Sequence, residues 1–247
     1  MEPFDTIVTS AIVGAASGFS LGLTGMGWGS ISVPLLILLG FDHSAVIGTV
    51  LTSNVLASAA GGAVHWRNKN SDRHLIFLLT LSGVMLAILG ALFSLSVKPR
   101  LVSIILSIYL LVGGIGVLLS RSYSVMEVRG KNSIRFFAAG AVPGFFEGAY
   151  GSGGPAGVLS LLLLRVHAHR AVGSWLPASL MIQLAPSILY LATFNFDWTI
   201  FLGLIGAGIP ATIIGSRFTK KIPEKVLRFL IGLIIFLLGV RLLVRIV

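Results

Sequence analysis

The chain has 247 residues, 55% of them hydrophobic and only 11% charged, with a mean hydropathy of +0.99. An ordinary soluble domain, with about a quarter of its residues charged, is excluded; so is a β-barrel, whose short alternating segments are nowhere to be read. The net charge of +10 sits in short clusters between apolar runs, as topology signals do, so nucleic acid is no partner, and the lack of cysteine removes disulfides and thiolate metal sites.

Ten apolar stretches follow in order, at about 6–24, 28–40, 44–66, 75–96, 101–120, 136–149, 154–165, 170–194, 198–216 and 226–246. The fold class is all-α, a polytopic helical membrane protein of one transmembrane domain, 1–247. The N-terminus, Met1 to Asp5, is acidic where a signal peptide is basic, so the first stretch is expected to stay in the membrane. The second, sixth and seventh stretches are short. A helix of about 13 residues rises about 20 Å, less than the roughly 30 Å of a hydrocarbon core. Each short piece adjoins a glycine cluster, Gly25-Met26-Gly27-Trp28-Gly29 or Gly151-Ser152-Gly153-Gly154-Pro155, where the helix should break. Each pair reads as a hairpin that turns within the membrane.

The two hairpins are copies. Gly14, Gly18, Gly22, Gly25 and Gly27 match Gly140, Gly144, Gly148, Gly151 and Gly153 at a constant offset of 126, and His43 matches His169. The repeats are 6–120 and 136–247, each a glycine-broken hairpin plus three transmembrane helices. The loop 121–135 joins them. If that loop faces the cytoplasm, 14 of the basic residues fall inside and 4 outside. An odd number of full spans per repeat inverts the second copy, and the charge split supports that inverted topology with the N-terminus outside the cell membrane.

The breaks carry the candidate site. Gly22-x-x-Gly25-x-Gly27 lacks the strand and βαβ unit of a dinucleotide loop. Glycines in membranes often serve close helix packing. A break recurring in two inverted copies favours the other reading, a backbone that lines a cavity. The short helices after the breaks would aim their N-termini at the midplane, and two such ends make an anion site without a buried lysine. The residues assigned to a small anionic substrate are Thr24, Gly25, Gly27, Trp28 and Ser30 at the first break and Gly151, Ser152, Gly153 and Gly154 at the second. Polar residues just beyond the hairpins join them: Thr49, Thr52, Ser53 and Asn54, then Ser174, Ser179 and Gln183. Those side chains equally suit hydrogen bonding between helices.

Glu147 is the one acidic residue well inside an apolar run; its mate is Leu21. A carboxylate there is a candidate for proton coupling, or else a hydrogen-bonding group between helices. His43 and His169 end the short helices on opposite faces, either solvated or near substrate entry. No carboxylate or cysteine shares their spacing, so neither metal nor cofactor is expected. Trp28, Trp66, Trp175 and Trp198 include interface anchors, with Trp28 the exception in the break itself. Pro177 and Pro186 are expected to kink the eighth stretch. An enzyme is disfavoured: Ser152 has no histidine at its depth and Glu147 no second carboxylate.

The stretches GLTGMGWGSISVPLLILLG and EGAYGSGGPAGVLSLLLL, followed by Ala-Val-x-Gly-Thr or Ala-Val-Gly-Ser, resemble the TauE/SafE family of sulfite exporters over essentially the whole chain. The family's usual G-x-G-G-G becomes Gly25-Met26-Gly27-Trp28-Gly29 in the first copy. In the second, Pro155 follows Gly153-Gly154, and Ser160 stands where the first has Pro34. The resemblance implies a secondary transporter, an exporter of sulfite or organosulfonates, coupled to protons. A passive anion channel built on the same broken helices is the rival reading. Membrane lipid is the other expected partner, and the oligomeric state is open.

Overall fold

The computed structural model describes residues 2–97, 99–119, 133–193 and 196–246. Among them there are ten helices and no strand. In order these are α1 (Pro3–Thr24), α2 (Trp28–Leu38), α3 (His43–Arg67), α4 (Arg73–Ser96), α5 (Pro99–Leu119), α6 (Ser133–Tyr150), α7 (Gly154–Leu163), α8 (Ala168–Ala192), α9 (Trp198–Thr219) and α10 (Glu224–Ile246). Segments of α1, α3, α4, α8 and α9 are long and apolar enough to cross a membrane, whereas α2 and α7 are not. The sixth element begins earlier than its apolar run, at Ser133, so α6 is a limb of 18 residues and not a short stub. Most of the 121–135 loop and part of the 195–197 loop lie outside the described residues.

With 22 residues, α1 rises about 33 Å, while the 11-residue α2 returns about 16 Å. The hairpins therefore pair a long limb with a short one. The Gly22 carbonyl accepts the hydroxyl of Thr219, the last residue of α9, at 3.0 Å. The Gly148 carbonyl accepts the hydroxyl of Tyr190, near the end of α8, at 3.4 Å. Each break is thus tied to the C-terminal part of a neighbouring helix.

The limbs are held by small residues at a spacing of four. Gly14, Gly18 and Gly22 of α1 rest on the backbone of Leu204, Gly208 and Thr212 of α9. Gly140, Gly144 and Gly148 of α6 rest in the same way on Leu79, Gly83 and Ala87 of α4. A methyl group at any of these six positions would overlap the facing backbone. Lipid tails are as apolar as leucine, so helices here associate through close packing and hydrogen bonds rather than by hiding apolar side chains. The pairs advance together along both chains, so α1 runs parallel to α9 and α6 parallel to α4. By contrast α3 crosses α8 antiparallel, with Ser58 beside Ser179 and Gly62 beside Pro177. The outer faces carry Phe77, Met85, Ile188 and Leu202, all exposed, as lipid-facing helices allow.

The turns that set α4 and α9 are built alike. Asp72 caps α4 through the N–H groups of His74 and Leu75, and Asp197 caps α9 through those of Thr199 and Ile200. The Asp72 N–H donates to the Ser174 hydroxyl at 3.0 Å, and the Asp197 N–H to the Thr49 hydroxyl at 2.8 Å. Pro177 and Pro186 both sit inside a continuous α8.

Candidate functional site

The first break ends α1 with Gly25 in the left-handed region, φ 75°, its N–H closing on the Leu21 carbonyl at 2.8 Å. The mate, Gly151, has φ 62° and closes on the Glu147 carbonyl at 2.8 Å. A side chain at either position would be strained, so glycine permits the reversal. Hydroxyls hold the opened backbone: Ser20 and Thr24 both donate to the Met26 carbonyl, at 3.0 and 3.2 Å.

The two breaks meet. A Cβ on Gly29 would collide with the Gly151 carbonyl, and one on Gly154 would crowd the Gly25 carbonyl and Met26. The first turn of each short helix is therefore set against the break of the other hairpin. Ser30 and Ser152 join across this junction, hydroxyl to hydroxyl, at 2.6 Å. Between the breaks lies a cavity of about 10 Å³, room for about one water molecule.

Of the residues expected at the site, Gly27, Trp28, Ser30, Asn54, Gly151, Ser152, Gly154, Ser179, Gln183 and Glu147 line this cavity. The others do not. Thr24 and Gly25 form the end of α1, and Thr52 bonds back to the Gly48 carbonyl along its own helix. Ser53 accepts the Trp28 indole N–H at 3.0 Å, which also reaches the Val50 carbonyl at 3.1 Å. Thr49 and Ser174 support the turns before α9 and α4. Gly153 gives its N–H to Glu147.

Leu21, Met26, Gly29, Pro155 and Trp175 also line the cavity, although none of them was assigned to the site from sequence and Trp175 was grouped with the interface anchors. Trp175 is as buried as Trp28, whereas Trp66 and Trp198 are exposed, as anchors would be. The signal for Trp175 was its place directly after Ser174, within the polar segment that follows the second hairpin.

The lining is rich in donors and poor in charge. Ser30, Ser152 and Ser179 bring hydroxyls, and the first turns of α2 and α7 bring N–H groups that a helix cannot satisfy internally. Gln183 is fully buried, and neither its amide nitrogen nor its oxygen has a hydrogen-bond partner. Among the described residues, no Lys, Arg or His lines the cavity, and Glu147 is its one ionisable group. The Glu147 carboxylate accepts the Gly153 N–H at 2.8 Å and the Asn54 amide at 3.4 Å. Asn54 in turn accepts from Ser58, which accepts from Ser179 at 3.3 Å. Among the described residues, no group of three His, Cys, Asp or Glu could hold a metal ion.

Apolar membrane-length helices folded round a small polar cavity at two helix breaks describe a multi-pass membrane protein, and the comparisons with known proteins make it a transporter rather than an enzyme. The sequence model of the family described as Sulfite exporter TauE/SafE matches residues 10–242, and the chain belongs to that family. Its relatives include the probable membrane transporter protein YjnA of Bacillus subtilis (strain 168), 26% identical over 95% of this chain and 99% of that protein. YtnM of the same organism, also a probable membrane transporter protein, is 23% identical over 97% of this chain and 83% of its own. A probable membrane transporter protein of Xylella fastidiosa (strain 9a5c) is 26% identical over 92% and 91%.

Proposed function

We propose that this chain is a secondary transporter that exports small sulfur-containing oxyanions, sulfite or organosulfonates, across the cytoplasmic membrane, with transport linked to protons. The observation that carries this reading is the cavity itself. It offers hydroxyl, amide and helix N-terminal donors and leaves the buried Gln183 amide unpaired. Such a set suits an anion with several acceptor oxygens.

The mechanism follows from closure. A cavity of about 10 Å³ does not admit a sulfur oxyanion, so loading requires the two hairpins to part on one side. Repeats 6–120 and 136–247, inverted with respect to each other with the N-terminus outside, would part on opposite sides in turn. Support comes from the pairing of α1 with α9 and of α6 with α4, which exchanges equivalent limbs between the two repeats at matching glycines. The closed junction favours this alternation over a standing pore. Glu147 is the group in place to carry the coupled proton.

Thermal unfolding of the purified protein in the presence of sulfite, sulfonates, thiosulfate and carboxylates tests the substrate class. Stabilisation by the sulfur oxyanions and not by carboxylates is expected. Equal stabilisation by acetate, or none by any sulfur anion, would remove the assignment.

A further inference from the structure

Glu147 sits where a substrate would. Its carboxylate receives the Gly153 N–H at the N-cap of α7, the place an anion takes at a helix start. The mate of Glu147 is Leu21, so the start of α2 has no such carboxylate. Gln183 lines the same cavity as Glu147, and its buried amide has no hydrogen-bond partner, which leaves it a free donor there. Among the described residues no Asp, Lys, Arg or His shares the cavity; the titratable residues of the same region are two buried tyrosines, Tyr150, three residues along α6, and Tyr190, whose hydroxyl donates to the Gly148 carbonyl at 3.4 Å.

We propose that the Glu147 carboxylate is a built-in competitor for the transported anion. Ionised, it holds the Gly153 N–H and fills the second break with its own charge. Protonated, it keeps only the weaker bond of a neutral acceptor, and a substrate monoanion takes over the Gly153 N–H with the Gln183 amide as added donor. Two negative charges in a cavity without a base repel and cannot both be solvated, so proton and anion enter together. One carboxylate in two breaks sets one proton per anion. It also selects a monoanion, because a second charge has no counter-charge to meet. This inference rests on the anion-transport reading above and adds how the proton is tied to it.

Methanesulfonate is the probe, since its single charge does not change with pH. Calorimetric titration of the whole purified protein, from about pH 5 to about pH 9 in buffers of different ionisation heat, reads affinity and proton uptake together. For the wild type, affinity should weaken by about tenfold per pH unit once Glu147 is ionised in the free protein, with uptake approaching one proton per anion. In Glu147→Gln both effects should vanish, and affinity should stay at the acid-side wild-type value. Wild-type binding with flat affinity and no proton uptake overturns the competitor, and that result stands even if the variant does not fold. A variant that keeps the wild-type slope overturns it equally. If neither methanesulfonate nor sulfite binds at the acid end, the sulfur-oxyanion reading itself fails and takes this inference with it.

Discussion

The hydroxyls of Ser30 and Ser152 lie 2.6 Å apart, the one side-chain hydrogen bond described that joins the first turn after one break to the other break itself. Both residues are buried, and both line the cavity. A neutral hydrogen bond is worth about 1 kcal/mol net, but leaving one partner unsatisfied in a buried site costs about 1–3 kcal/mol. Ser30→Ala and Ser152→Ala should therefore each destabilise the protein, and the double variant should cost less than their sum. Thermal unfolding of the four proteins in one detergent measures that coupling; strictly additive losses would mean the junction is not held by this bond.

Trp28 fills the position where the family pattern has glycine. Its ring rests on Gly208 and its indole N–H is bonded to Val50 and Ser53. Trp28→Gly removes that ring, lowering stability by about 3–5 kcal/mol, and enlarges the cavity. The accepted sulfonates should extend to bulkier ones. A substrate profile identical to the wild type, in protein shown to be folded, would take Trp28 out of the selection of substrate.

Thr49 and Ser174 make a contrasting pair. Each accepts the N–H of an N-capping aspartate, away from the cavity. Thr49→Val and Ser174→Ala should lower stability by about 1 kcal/mol each while leaving substrate affinity unchanged. A loss of affinity without loss of stability would return these hydroxyls to the substrate site.

Topology is open to direct labelling, because the chain has no cysteine of its own. Gly40→Cys, in the turn between α2 and α3, should react with a membrane-impermeant maleimide added to intact cells, and Asn68→Cys, after α3, should react only once the cells are opened. The reverse pattern would place the N-terminus inside.

How far the sequence alone reaches can be read from these same residues. The break at Gly25 and its copy at Gly151 were visible because a helix cannot pass a glycine cluster in an apolar run without consequence, and repetition marked both. The isolation of Glu147 was visible because a carboxylate in lipid is costly. What stayed hidden were relations of rotation and depth. Thr49 and Asn54 lie only five residues apart on α3, yet one supports a turn and the other lines the cavity. Periodicity was too weak to separate them, since polar and apolar residues are spread round every face of α3. Trp175 was hidden for the same reason: an interface anchor and a cavity wall look alike until the packing of α8 is known. The length of α6 was missed because Ser133 and Arg135 are polar, and hydropathy ends a run where the helix does not.

Transport itself is the central claim, and flux into sealed vesicles tests it most directly. Purified protein in liposomes should take up labelled sulfite with a rate that saturates, that responds to an imposed proton gradient, and that falls at least tenfold when Gly29→Leu blocks the meeting of the two breaks. An unsaturable flux, indifferent to the proton gradient and accompanied by steady current, would contradict the account and describe a channel.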